Sequence, residues 1–247
     1  LDTVKMLDDQ FGNPHLKYKS IHIAGTNGKG STAHTLAAIL QSAGYRVGLY
    51  TSPHLVDFRE RIRVNGKMIS REAVVDFVNR YRAMSLDCYP SFFELTMTMA
   101  FEHFANEKVD IAVIETGLGG RLDSTNIITP ILSIITNISF DHTAFLGNTL
   151  PAIASEKAGI IKCNVPVVVG ATTRESEVVF QTESRNKKSQ LYIATDEKEV
   201  IDYQETETGN FYRTRHFGEF TGALLGKHQA ENTGTILKSL LVLDTLG

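Results

Sequence analysis

Seven residues constrain this chain more than any others: Gly25-Thr26-Asn27-Gly28-Lys29-Gly30-Ser31. They follow a short apolar run, Ile21-His22-Ile23-Ala24, and precede a segment in which Ala33, Leu36, Ala37 and Leu40 recur at helical spacing until Gly44. The pattern reads strand, glycine-rich loop, helix, and Val47-Gly48-Leu49-Tyr50 supplies the next strand. Such a loop suits phosphate. Glycines let the backbone N–H groups turn inward, and a helix N-terminus offers unpaired donors and partial positive charge. Lys29 adds an ammonium for terminal phosphates, and Ser31 or Thr32 a hydroxyl toward a metal ion. The strict G-x-x-x-x-G-K-[ST] spacing is not met, because Ile23 stands six before Lys29 and Gly30 follows it. A glycine turn serving only chain reversal is the alternative; the order of strand, glycines, lysine, hydroxyls and helix argues against it.

The remaining segments extend this unit. Asn65-Gly66, between Arg61–Val64 and Lys67–Ile69, predicts a tight hairpin. Ser70 is placed to cap a helix with Val74, Phe77, Val78 and Tyr81 inward, and Ser91-x-x-Glu94 predicts a capping box on a helix to about Phe104. Ile111–Ile114, Ile131–Ile135 and Val165–Val169 are continuously apolar, as strands of a parallel sheet buried on both faces are. Helices are expected near 151–160, 174–186 and 227–243. The expected fold class is therefore α/β, a doubly wound, mostly parallel sheet with helices on both faces. A small β-rich excursion is expected near 190–217, around Glu207-Thr208-Gly209-Asn210.

Composition narrows the function classes. With 25 basic and 28 acidic residues, the chain lacks the basic surplus of a nucleic-acid binder. No apolar run reaches the ~20 residues that span a bilayer. Cys88 and Cys163 share no metal-ligand spacing, and two thiols make little disulfide framework, so a reducing, cytoplasmic setting is expected. The 247 residues suit one large domain or two small ones at ~150 residues each. Leu1 in place of an initiator Met suggests a missing upstream segment.

Glu115 ends the buried strand Ile111–Ile114. Open α/β sheets bind ligands at the carboxyl ends of their strands, and a carboxylate there suits magnesium, which prefers hard oxygens. A strand-end Glu that caps the following glycine turn is the plain alternative.

The loop, together with Thr51-Ser52-Pro53-His54-Leu55, resembles the folylpolyglutamate synthase and dihydrofolate synthase family, which belongs with the Mur ligases. The resemblance continues through Ser91-Phe92-Phe93-Glu94, the run from Glu115 to Asn126, Ser139-Phe140-Asp141-His142, Glu156–Lys162 and Gly226–Asn232. The Gly30-Ser31 ending fits folate ligases better than other Mur ligases. Only 24 residues precede the loop, too few for the UDP-sugar domain of that branch.

The resemblance implies an ATP-dependent amide ligase that joins L-glutamate to a folate or dihydropteroate carboxylate through an acyl phosphate. It implies ATP contacts from Gly25, Thr26, Asn27, Gly28, Lys29, Gly30 and Ser31, with Asn232 at the base. It implies two Mg2+ sites, with Ser52, Glu115, His142 and a carbamylated Lys157 as ligands, and catalytic roles for Lys29, His142 and Lys157. Without the resemblance, Lys157 reads as a solvated helix lysine and Asn232 as a polar surface residue. Substrate contacts are implied for Pro53, Ser91, Phe92, Phe93, Glu94, Leu122, Asp123 and Ser124; the plain reading of 91–94 is a capping box with core aromatics. A single ATP-binding domain over 1–247 is expected, without the family's smaller C-terminal domain, as a monomer and without nucleic-acid or membrane partners. The other readings are a nucleotide-binding module without ligase activity, another Mur-type ligase, or another P-loop hydrolase or kinase.

Overall fold

The computed structural model describes residues 1–84, 86, 89–140, 147–196 and 198–247. Strand β1 (Lys19–Ala24) runs through the middle of the molecule, parallel to β5 (Ile111–Glu115) on one side and β6 (Leu132–Asn137) on the other. Beyond β5 lies β2 (Val47–Tyr50), then the antiparallel β3 (Ile62–Val64) and β4 (Lys67–Met68). Beyond β6 lie β7 (Val167–Ala171) and β8 (Leu191–Ile193), both parallel. The order across the sheet is β4-β3-β2-β5-β1-β6-β7-β8, the mostly parallel arrangement that the apolar runs predict.

Seven helices are described: α1 (Asp2–Gln10), α2 (Lys29–Ser42), α3 (Arg71–Ala83), α4 (Phe92–Asn106), α5 (Leu150–Ala158), α6 (Arg174–Asn186) and α7 (Lys227–Leu246). Strand side chains alternate between faces, which divides the core. Ile21, Ile23, Val113 and Ile134 pack with Leu36 of α2 and Ile236 of α7. Ala112 and Ile114 pack with Phe77 of α3 and Phe101 and Phe104 of α4. Ile135, Val167 and Val169 pack with Ile153 of α5 and Phe180 of α6. Each fully buried Ile or Phe contributes roughly 1.5–3 kcal/mol, so the strands that carry the carboxyl-end loops are anchored by core on both faces.

Local signals account for the element ends. Asn65 and Gly66 both take positive φ, 47° and 75°, as a two-residue hairpin requires. The Ser70 hydroxyl accepts from the Ala73 N–H, and Ser91 and Glu94 form the capping box. The β-rich region expected near 190–217 is present, divides in two and runs on to Gly222. Leu191–Ile193 joins the main sheet beside Val167–Val169, because its apolar side chains extend the parallel run. The excursion proper is a separate antiparallel sheet of β9 (Val200–Thr206), β10 (Gly209–Thr214) and β11 (Glu219–Gly222). Helix α1 has no counterpart in the sequence reading; its polar run anchors only through Val4, Leu7 and Asp8. Cys163 is exposed and unpaired; Cys88 lies outside the described residues. No described helix is long and apolar enough to cross a membrane.

Candidate active site

The glycine loop leaves the carboxyl end of β1 and enters α2, whose N-cap is Gly28 with no capping side chain. Two glycines are required by shape. Gly25 has φ +150° and Gly28 φ +79°; a Cβ on Gly25 would lie 1.9 Å from Thr136 Oγ1, and one on Gly28 2.2 Å from Asn232 Oδ1. The loop is pinned to the end of β6 and the residues beyond it. The Thr26 N–H donates to Asn137 O at 3.1 Å, the Asn27 N–H to Asn137 Oδ1 at 2.9 Å, and Thr136 Oγ1 to Asn27 O at 2.5 Å. Thr26 Oγ1 donates to Ser139 O at 3.1 Å. Lys29 folds back, donating from Nζ to Gly25 O at 3.0 Å and Thr26 O at 3.3 Å. A phosphate drawn to the helix N-terminus would compete for that ammonium.

Because β5 lies between β2 and β1, Glu115 is flanked by the segment after β2 and by the glycine loop. Its carboxylate is 4% exposed, and Oε2 accepts the Ser52 N–H at 3.3 Å. Burial pushes its pKa up to about 7, against the lowering effects of the Lys29 charge and the Ser52 N–H. A buried carboxylate held this far up gains from a cation. The donor set fits a magnesium ion that keeps waters and phosphate oxygens as further ligands. Among the described residues, no three His, Cys, Asp or Glu side chains converge, so the protein alone does not make a closed metal cage here. Ser52 precedes a cis peptide bond to Pro53.

Lys157 lies in the last turn of α5 and is 3% exposed, so it is buried where the plain reading made it solvated. Asn232 is also buried, at 6%. Its Nδ2 donates to Gln229 Oε1 at 3.0 Å, and Gln229 Nε2 reaches Ser31 Oγ at 3.5 Å, so α7 closes over the start of α2. His142 lies outside the described residues.

Of the remaining expected substrate residues, Pro53 and Leu122 sit on loops after β2 and β5, Asp123 and Ser124 open a 3-10 turn, and Ser91 to Glu94 form the N-cap and first turn of α4. Phe92 is 60% exposed, with the Arg61 guanidinium 5.6 Å from its ring centroid and Phe58 at 5.8 Å. Phe93 is half-buried against Tyr50, centroids 6.1 Å apart, and fills the space a Cβ on Gly117 would need. Pro53 and Leu122 are exposed and Ser124 half-buried. Ser91 and Glu94 are engaged in their capping box. Asp123 is buried, with Oδ2 accepting the Gly117 and Leu118 N–H groups, both at 2.9 Å, and Oδ1 accepting from the Thr125 N–H and Oγ1. The Ser91, Glu94 and Asp123 side chains hold local structure, whereas those of Pro53, Phe92 and Leu122 are exposed. Sequence reasoning missed Thr136, Asn137 and Gln229; two polar residues at the carboxyl end of the Ile131–Ile135 run were the available signal.

The sequence pattern of the Mur ligase middle domain matches residues 23–237. The chain belongs to the Mur ligase family. Among relatives, it is 39% identical over 243 residues to the dihydrofolate synthase/folylpolyglutamate synthase of Bacillus subtilis, covering 94% of this chain and 56% of that protein. The folylpolyglutamate synthase structure from Thermotoga maritima superposes with a TM-score of 0.86 at 43% identity, over 97% of this chain and 57% of that one. A Mycobacterium tuberculosis folylpolyglutamate synthase complexed with ADP gives 0.88 at 34% identity, over 99% and 58%. The chain thus spans little more than half the length of these relatives.

Proposed function

We propose that this chain is the nucleotide-handling part of a ligase that uses ATP to join L-glutamate to the carboxylate of a folate or dihydropteroate. The observation that carries the reading is the buried Glu115 carboxylate, bonded to the Ser52 N–H and within the field of Lys29, at the mouth of a loop in which Gly25 and Gly28 admit no side chain. The names of the relatives and the ADP held by one of them support it.

The backbone N–H groups at the start of α2, from Gly28 to Ser31, bind the polyphosphate, and Lys29 exchanges its loop carbonyls for phosphate oxygens. The substrate carboxylate oxygen attacks the γ-phosphorus, the bond to the β-phosphate oxygen breaks, and ADP leaves. The glutamate amine then adds to the acyl carbon, phosphate departs, and the nitrogen loses a proton. Phosphoryl transfer of this kind asks the protein mainly for positioning and charge neutralisation. Ser52 and Glu115 would hold one Mg2+; a carbamate on Lys157, with His142, would hold a second. Bound there, magnesium supplies charge neutralisation on the transferring phosphoryl group. Pro53, Phe92 and Leu122 offer an apolar surface to a heterocycle, with Phe93 packed behind it. We place the activity in the cytoplasm, with a monomer as the working unit and small molecules as its partners.

The test is phosphate release from ATP by the full-length protein with L-glutamate and one acceptor at a time: dihydropteroate, tetrahydrofolate or a UDP-sugar peptide. Release that requires both glutamate and a pteridine acceptor is expected. Nucleotide binding with no acceptor-dependent release would make the protein a binding module instead.

A further inference from the structure

The segment between Glu115 and β6 is tied to the helix that carries Lys157 at several points, and one buried side chain closes the tie. Asn126 is 9% exposed. Its Nδ2 donates to Arg121 O at 3.1 Å, inside the loop, and to Gly159 O at 3.0 Å, at the C-cap of α5. Both partners are carbonyl oxygens, so only an amide nitrogen with two hydrogens makes both bonds. The Arg121 N–H donates to Glu156 O at 2.7 Å, and its guanidinium reaches Glu156 Oε1 at 2.8 Å. The bond to Gly159 O occupies a helix-end carbonyl that would otherwise need water or a cap. The backbones also touch. A Cβ on Gly120 would lie 2.7 Å from Glu156 O and 3.0 Å from Lys157 O, and one on Gly159 would lie 2.4 Å from Arg121 Cα.

The same loop is anchored at its other end. Asp123 receives the Gly117 and Leu118 N–H groups, two and three residues past Glu115. Thr125 Oγ1 donates to Asp123 Oδ1 at 2.5 Å and lies 2.8 Å from Nε2 of the fully buried His22 on the central strand. Lys162 Nζ donates to Asn126 O at 2.8 Å. The loop is therefore a strut from the strand end that presents Glu115 to the helix end that presents Lys157.

We infer that Asn126 is a positioning residue: by clasping the loop 117–127 to the C-terminal end of α5, it holds Lys157 in register with Glu115, so that both sides of the metal-assisted phosphate site are set by one rigid piece. The inference rests on the reading of Glu115 and Lys157 given above. It separates two quantities. Grip on metal-free nucleotide comes from the loop 25–31, which is anchored on Thr136 and Asn137 and not on this strut. The gain in grip that Mg2+ provides depends on the strut.

The test measures binding of AMPPCP to this chain by titration calorimetry, once in EDTA and once in excess Mg2+. The chain is compared as wild type, as Asn126→Asp and as Arg121→Met. Asn126→Asp keeps the shape but replaces two donated bonds with repulsion toward two carbonyls. Arg121→Met removes only a half-exposed guanidinium pair and is the variant expected to fold without difficulty. The Mg2+-dependent gain should fall at least fivefold in Asn126→Asp and about twofold in Arg121→Met, with metal-free affinity within twofold of wild type in both. A folded Asn126→Asp with an undiminished gain overturns the inference, as does an equal loss with and without metal, the mark of a merely structural residue. If Asn126→Asp does not fold, an undiminished gain in Arg121→Met overturns it. A wild-type chain with no Mg2+-dependent gain overturns the reading of Glu115 itself, and the inference with it.

Discussion

Replacing Glu115 by Gln tests whether that carboxylate is held ready for a cation. In the metal-free fold, burial raises its pKa from 4.5 to about 7. A rise of about 2.5 pH units corresponds to about 3 kcal/mol between the two protonation states. The sign follows from proton binding. Below about pH 4.5 the carboxyl is protonated in both folded and unfolded chains, and its burial carries no charge penalty. Between 4.5 and 7 the unfolded chain ionises first, so stability falls as pH rises; above about 7 the full penalty applies. The Gln side chain keeps the shape and never ionises. Urea unfolding in EDTA should therefore show Glu115→Gln gaining on wild type by about 3 kcal/mol between pH 4.5 and pH 8. Added Mg2+ with AMPPCP at pH 8 should recover wild type far more than the variant, since ligand binding to the native state stabilises it. A difference between variant and wild type that stays constant within about 1 kcal/mol across this range would show that Glu115 is not strained by its surroundings, and the argument for a cation there would fail.

Other outcomes are expected from the same site. Lys29→Ala should leave the melting temperature nearly unchanged and lower ATP-dependent turnover of the full-length protein by at least ~10²–10³-fold, as losing one donor to developing charge does; near-normal turnover would remove Lys29 from the site. Gly28→Ala should weaken nucleotide binding and cost about 1–3 kcal/mol in urea unfolding, because it adds a side chain at φ +79° and 2.2 Å from Asn232 Oδ1. Pairing it with Asn232→Ala should relieve the steric part only, and full restoration of stability would argue that backbone strain is absent. Lys157 should form a carbamate in 13C-bicarbonate near neutral pH, visible as a carbonyl resonance absent from Lys157→Met; identical spectra would refute it.

The strand–loop–helix unit was legible because it rests on local chemistry: the short run Ile21–Ala24, glycines, and a helical repeat. So was the hairpin at Asn65-Gly66, where backbone conformation depends on two residues alone. Pairing across the sheet was less so. Leu191–Ile193 is too short to show a period, and only its alignment with Val167–Val169 makes it a main-sheet strand. The expected strands at 131–135 and 165–169 sit at 132–137 and 167–171, partly because Pro166 has no N–H to give a ladder. At the site, Glu115 and the glycine loop could be found in sequence. The polar clamp of Thr136 and Asn137 could not, since it exists only once β6 lies beside β1. Nor could the engagement of Asp123, whose two oxygens serve the turn it begins, be told from a residue offered to a ligand.

The position of β5 between β1 and β2 bears on how such a protein changes over evolutionary time. Neighbouring strands are spaced at about 4.8 Å, so the phosphate loop, Glu115 and Ser52 are set out on adjacent rails of the sheet. Their spacing is a property of backbone ladders, which side-chain substitution scarcely alters. The segments that would meet an acceptor at the strand ends, 53–57 and 118–122, hang from the ends of those rails and add no side chain to the core. On the proposed reading, selection would redraw the acceptor surface there, one exposed residue at a time, while the phosphate loop beneath it kept its dimensions. If the proposed activity holds, an architecture arranged in this way would let one phosphate chemistry be offered to different carboxylates.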